Sequence, residues 1–251
     1  MNHHLYILTG ASRGMGRAMA EQLIRPGHRL LCISRTADTA LQQRADAAGV
    51  PLLQWQHDLA DGAPLAARLA GWLKESDPHA WAGASLVNNA GTIPPVVPLR
   101  DAAAADTAHA LRVGLEAPML LTTAFLHSTR AWTVPRKVLN ISSGLGRRPM
   151  ASQAGYCTAK AGMDMFTRCA ALDEALLPHG AKLCSLAPGV VDTDMQRHLR
   201  SADAAAFPDR ARFEGLHTGA QLASPADAAS QVLAFLARPD FGAEPVADVR
   251  S

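Results

Sequence analysis

Residues 143–160, SGLGRRPMASQAGYCTAK, bring together an alcohol, a phenol and an amine at spacings that suit proton transfer. Tyr156 lies thirteen residues after Ser143, and Lys160 follows Tyr156 by four. From residue 153 to about 177 there is no proline until Pro178, and Ala154, Cys157, Ala161, Met165, Cys169, Leu172 and Leu176 recur at helical intervals. The pattern predicts a long helix. Side chains four apart share a helix face, so Tyr156 and Lys160 point the same way. A nearby cation favours the phenolate of a group that otherwise titrates near pH ~10. Such a phenol can exchange a proton with a substrate oxygen near neutral pH. Ser143 follows the apolar run 138–141, a strand whose end presents the hydroxyl beside the phenol. A Tyr and a Lys four apart also arise by chance, as a packed ring and a solvated amine, so the weight of the pair rests on the elements around it.

The first of those elements is N-terminal. The apolar run 5–8 ends in Thr9, and Gly10-Ala11-Ser12-Arg13-Gly14-Met15-Gly16 then opens a helix that Pro26-Gly27 closes. Glycines after a strand and before a helix let the backbone approach a pyrophosphate, which rests on helix N-terminal amides. The spacing is GxxxGxG, and glycine turns occur widely, so placement carries the signal. The second strand, 29–33, ends in Ser34-Arg35, where NAD sites usually place an acid for the ribose 2′-hydroxyl. Arg35, with Arg13 in reach of the same pocket, suits a 2′-phosphate and points to NADP(H). Asp38 is close enough to keep NAD(H) open as the alternative, and a solvated loop charge is the plain reading of Arg35.

The remaining elements alternate. A helix is expected over 37–48, a strand over 52–56, a helix over 64–74 and a short strand over 85–87. Asp58, after the third strand, either accepts from an adenine amino group or caps the next helix. Asn88-Asn89-Ala90-Gly91 ends the fourth strand with small residues that fit close passage of a cofactor, and a plain turn uses the same residues. A long helical stretch follows over 101–130, which Pro118 should bend. Strands over 137–141 and 182–186 come next, the latter running into Pro188-Gly189-Val190-Val191-Asp192-Thr193. Residues 195–219 lack periodicity and read as a mobile lid shaping the substrate pocket. A helix over 225–237, with Ser224 as N-cap, and a strand over 244–249 complete the chain. There is no linker or repeat, so residues 1–251 read as a single α/β domain, a doubly wound seven-stranded parallel sheet.

Composition agrees with an ordinary globular protein: 251 residues, 48% hydrophobic, 18% charged. A formal net charge of +2 argues for neither nucleic acid nor an anionic membrane as partner. No apolar run has bilayer length, and the N-terminus lacks the pattern of a secretion signal. Cys32, Cys157, Cys169 and Cys184 form no CxxC pair and read as reduced, buried thiols of a cytoplasmic protein. No His/Asp/Glu set has metal-ligand spacing, so no metal is expected.

Together, residues 9–16, Asn88-Asn89-Ala90-Gly91, Ser143 with Tyr156-Cys157-Thr158-Ala159-Lys160, and Pro188-Gly189 with Thr193 resemble the short-chain dehydrogenase/reductase family in order and separation. The resemblance spans nearly the whole chain. It implies a Rossmann domain in which Tyr156 is the general acid, Ser143 holds the substrate carbonyl, and Lys160 binds the nicotinamide ribose and lowers the Tyr156 pKa. Thr193 and the peptide before it would hold the carboxamide. The cofactor would contact Gly10, Ser12, Arg13, Gly14, Met15, Gly16, Arg35, Asp58, Leu59, Asn89, Ala90, Gly91, Tyr156, Lys160, Pro188, Gly189, Val191 and Thr193. The implied reaction is reversible NADPH-dependent reduction of a ketone or aldehyde. Homodimers or homotetramers are implied too, through residues 102–126 and 157–176. One departure stands out. Val113-Gly114-Leu115-Glu116-Ala117-Pro118 is similar to a family segment that carries Asn where Gly114 stands. That Asn holds a water in a proton relay, and a glycine is expected to leave room for a second water. Gly114 keeps open a catalytically impaired NADP(H)-sensing protein, and an NAD-dependent alcohol dehydrogenase is a separate alternative. The surrounding sequence is similar to the branch containing sepiapterin and benzil reductases, which points toward ketones or diketones.

Overall fold

The computed structural model describes residues 3–250. A seven-stranded sheet runs in the order β3-β2-β1-β4-β5-β6-β7. Its strands are β1 (His3–Thr9), β2 (His28–Ser34), β3 (Leu52–Gln56), β4 (Trp81–Asn88), β5 (Arg136–Ile141), β6 (Lys182–Ala187) and β7 (Val246–Asp248). All six pairings are parallel. Parallel strands are covered on both faces and therefore read as continuous apolar runs. In β2, Leu30, Leu31, Cys32 and Ile33 are all buried, and alternate residues enter opposite cores. Leu30 and Cys32 join one core with α1 (Gly14–Leu23), α2 (Thr39–Ala47) and α9 (Pro225–Ala237). Leu31 and Ile33 join the other with α3 (Gly62–Lys74) and α5 (Ala117–Thr129).

The sheet order reverses direction between β1 and β4. A crevice therefore opens beyond the carboxyl ends of these neighbours, where open α/β sheets take ligands. Thr9 ties the two ends: its hydroxyl accepts from the backbone N–H of Asn89 at 3.0 Å and of Ala90 at 3.1 Å.

Four expectations need revision. The fourth strand is longer than 85–87 and starts at Trp81; at Gly83 the ring of His4 lies where a Cβ would meet it at 2.8 Å, so the small residue admits a neighbour's side chain. The 101–130 stretch is α4 (Ala104–Leu111), a π turn over Arg112–Glu116, and α5. The irregularity caused by Pro118, which lacks an N–H, is absorbed in that wider turn just upstream, where Ala117 N–H donates to Arg112 O. Residues 195–219 contain α7 (Asp194–Arg200) and α8 (Arg210–Thr218), each under ten residues and too short to show a period. Leu199, Phe207 and Phe213 anchor them in a small core with Val96. Of the cysteines, Cys32 and Cys184 are buried, but Cys157 is half-buried and Cys169 exposed.

The long helix expected around Tyr156 and Lys160 is α6 (Ala154–Ala175). Its apolar stripe faces outward: Met165 is 61% exposed, Leu172 72% and, just past the helix end, Leu176 84%. The buried face carries Tyr156, Ala159, Lys160, Met163, Asp164 and Thr167, most of them polar. Among the described residues, no helix is long and apolar enough to cross a membrane.

Candidate active site

Strand β5 ends at Ile141, and Ser142 extends its pairing by donating its N–H to Leu186 O at 2.9 Å. Ser143 is thereby delivered to the crevice floor, where its hydroxyl accepts from Leu145 N at 3.2 Å and hydrogen-bonds the Tyr156 hydroxyl. Lys160 is buried one turn along α6, donates its Nζ to Ile141 O at 2.7 Å, and lies 5.7 Å from the Tyr156 ring centre. The three groups anticipated from their spacing therefore converge.

Their electrostatics differ from expectation. Burial pushes the Tyr156 phenol above its ordinary range, and the Ser143 hydrogen bond only partly offsets this. Lys160 spends a donor on a carbonyl and does not lower the phenol in the free chain, so desolvation wins over the cation. Burial also pulls Lys160 down to about 8, against which the Asp164 carboxylate holds it up.

Asp164 escaped the sequence reading. It lies four residues beyond Lys160 and continues the same face, which was the available signal. One oxygen accepts from Ser142 Oγ and Ser185 Oγ, each at 2.6 Å, and the other from Arg147 Nε at 3.2 Å. This buried carboxylate ties the residue preceding Ser143 to β6 and to the helix of Tyr156 and Lys160. A polar layer below extends the tie: Asn140 Nδ2 donates to Thr167 Oγ1 at 2.9 Å, and Asn88 Nδ2 to Asn140 Oδ1 at 2.8 Å.

At the other end of the crevice, Gly10 has φ +72°, and a Cβ there would lie 2.9 Å from Ala90 Cα. A Cβ on Gly16 would lie 2.1 Å from Gly10 O, so both positions exclude a side chain. Helix α1 starts at Gly14 with no side-chain cap and no acid in its first turn, leaving its N-terminal amides available to an anion. Asp38, the residue that kept the NAD alternative open, caps α2 through Leu41 N and pairs with Arg17 at 2.7 Å. It is not part of the crevice wall, whereas Arg35 is. Arg13 also lines the crevice and pairs across it with Asp194 at 3.3 Å. Asp58 accepts from Ala60 N at 3.0 Å within the turn and does not cap α3, whose N-cap position is Asp61.

One cleft of about 490 Å³ joins both ends. Gly10, Ser12, Arg13, Gly14, Met15, Gly16, Arg35, Asp58, Leu59, Asn89, Ala90 and Gly91 line it with Ser143, Tyr156 and Lys160. Pro188, Gly189, Val191 and Thr193 close the side formed by the loop after β6. At Gly114 a Cβ would sit 3.1 Å from the Ala159 methyl, the contact between the π turn and α6.

The Asp164 contacts generate a test. Replacing Asp164 with Ala leaves two buried hydroxyls without their acceptor and removes the charge that keeps Lys160 protonated. We expect a loss of at least about 2 kcal/mol in urea unfolding. The Lys160 titration, followed by NMR of ¹⁵N-labelled lysine, should move below about 8. Unchanged stability and titration would contradict this role.

A model of the family described as short chain dehydrogenase matches residues 4–204. A benzil reductase ((S)-benzoin forming) of Bacillus cereus is 34% identical, over 94% of this chain and 94% of that protein. Sepiapterin reductase of Rattus norvegicus is 30% identical, over 94% of this chain and 92% of that protein. A solved metagenomic short-chain oxidoreductase in complex with NADP, 25% identical, superimposes with a TM-score of 0.72 over 98% of this chain and 95% of that one. With its parallel sheet in the order β3-β2-β1-β4-β5-β6-β7 and its converging Ser, Tyr and Lys, the chain belongs to the short-chain dehydrogenase family and is an oxidoreductase of carbonyl and alcohol groups.

Proposed function

We propose that this protein reduces a ketone or aldehyde to an alcohol with NADPH, and that the reaction is reversible. The observation that carries the reading is the hydrogen-bonded Ser143–Tyr156 pair, with Lys160 beneath it, in the same cleft as the glycine loop. The uncapped N-terminus of α1 and the close Gly10–Ala90 approach fit a dinucleotide pyrophosphate, with Gly10, Ser12, Arg13, Gly14, Met15 and Gly16 holding it. Asp58 and Leu59 flank the adenine end; Asn89, Ala90, Gly91, Pro188, Gly189, Val191 and Thr193 flank the nicotinamide end. When bound, the nicotinamide supplies the hydride. Ser143 and Tyr156 donate to the carbonyl oxygen, where negative charge develops, and two preplaced donors in a dry site stabilise that charge. Tyr156 gives up its proton to the new alkoxide. Its burial keeps the phenol protonated at neutral pH, as an acid in the reductive direction must be. Lys160 holds the ribose and the charge beside the phenol. Residues 195–219 act as a lid over the substrate end, resting on the small core of Leu199, Phe207 and Phe213.

Tyr156→Phe should lower NADPH oxidation with an active ketone by at least about 10²-fold while leaving NADPH binding intact. Retained turnover would refute the assignment; wild-type binding of NADPH without oxidation across a panel of ketones and diketones would favour a sensing protein.

NADP(H) is preferred because Asp38 is engaged by Arg17 and Leu41, while Arg35 faces the cleft and, among the described residues, has no carboxylate partner. An arginine–phosphate contact is charge-assisted and bidentate. Arg35→Asp should raise the NADPH dissociation constant about tenfold or more and improve NADH binding. Equal effects on the two cofactors would argue for NAD(H).

Homo-oligomerisation accounts for the outward apolar stripe of α6, together with Met119 of α5, 38% exposed. Sedimentation at micromolar concentration should give a dimer or tetramer, and Met165→Glu with Leu172→Glu should shift it to monomer. A monomeric wild type would exclude this assembly.

A further inference from the structure

Gln196 sits on α7 with only 8% of its surface exposed, and it lines the cleft. Its Oε1 is buried without a hydrogen-bond partner. A buried amide oxygen is costly to leave unpaired, so its position in the cleft wall calls for a ligand donor. Leu199 follows by three residues and shares the helix face; it packs with Val96 and Phe213 in the small core above the substrate end. Gln196 therefore belongs to the wall that carries Ile93, Met150, Phe213 and Leu216, all of which line the same cleft. Thr92, His109, Arg148 and Arg212 line the cleft as well, but among the described residues that line it Gln196 alone has a buried side-chain polar atom without a hydrogen-bond partner.

We propose that Gln196 is a specificity-determining residue whose Oε1 accepts a hydrogen bond from an O–H or N–H on the carbon next to the reacting carbonyl. The chain would then prefer α-hydroxy or α-amino ketones to plain ketones of the same shape. Hydrophobic walls discriminate weakly among isosteres, whereas a site built to pair a substrate donor rejects the analogue that lacks it. This inference rests on the reductase reading above and adds the chemical class of its substrate.

The test uses two ketones that share a carbon skeleton, benzoin with a hydroxyl next to the carbonyl and deoxybenzoin with a methylene there. The wild type should reduce benzoin with the higher kcat/KM. Gln196→Leu, and Gln196→Met as a second apolar variant, should lower kcat/KM for benzoin about tenfold or more, leave deoxybenzoin within about twofold, and leave the KM for NADPH unchanged. Melting temperatures equal to or above wild type verify that both variants fold, since an unpaired amide is replaced by an apolar side chain. Parallel losses on both ketones with a raised KM for NADPH would assign the amide to the cofactor and overturn the proposal. So would unchanged rates on both, or a wild type that shows no preference for benzoin. A wild type that reduces neither compound but reduces other ketones overturns this inference alone; one that reduces no carbonyl compound overturns the reductase reading as well.

Discussion

Burying a phenol, an ammonium and a carboxylate on one face of a single helix is the constraint around which the molecule is arranged. Each group loses water, and each must find protein partners or lose its charge. Lys160 takes a carbonyl of β5, Asp164 takes hydroxyls from the end of β5 and from β6, and Tyr156 takes Ser143. Ile141 and Ser142 lie at the end of β5 and Ser185 lies within β6, so satisfying the helix ties it to both strands. The reactive groups are rigid because polar pairing requires it, and partly satisfied networks of this kind are unstable.

The same economy governs the other half of the crevice. Thr9 gives one hydroxyl to two amides of the Asn89-Ala90 turn, and Gly16 approaches Gly10 too closely for any side chain. The glycine loop is thus clamped to the end of β4 while the amides at the start of α1 stay unpaired by side chains. One end of the cleft is suited to anionic charge and the other to a carbonyl oxygen. The parallel sheet sets their separation, because every strand ends on the same edge.

Much of this was legible in the chain. Apolar runs separated by helical segments gave the alternation of elements, and the thirteen-and-four spacing of Ser143, Tyr156 and Lys160 marked three groups that converge in the cleft. The apolar recurrence in α6 marked the helix but did not say which of its faces is buried. In α6 the pairing of Tyr156, Lys160, Asp164 and Thr167 decides orientation, and Met165 and Leu172 are left outside. Asp164 and Gln196 were missed for a related reason: a lone carboxylate or amide has no period, and only tertiary contacts reveal whether it is solvated. Helices α7 and α8 were invisible because their anchors, Leu199, Phe207 and Phe213, meet only across a loop.

The central claim is that this cleft aligns a carbonyl carbon for direct hydride receipt while Ser143 and Tyr156 hold its oxygen. Mass spectrometry of the alcohol formed from a turned-over ketone with NADPH deuterated at either face of nicotinamide C4 tests it most directly. The account predicts that one of the two labelled cofactors, and not the other, places deuterium on the carbinol carbon. An alcohol free of deuterium from both, or NADPH oxidation without alcohol, would contradict it.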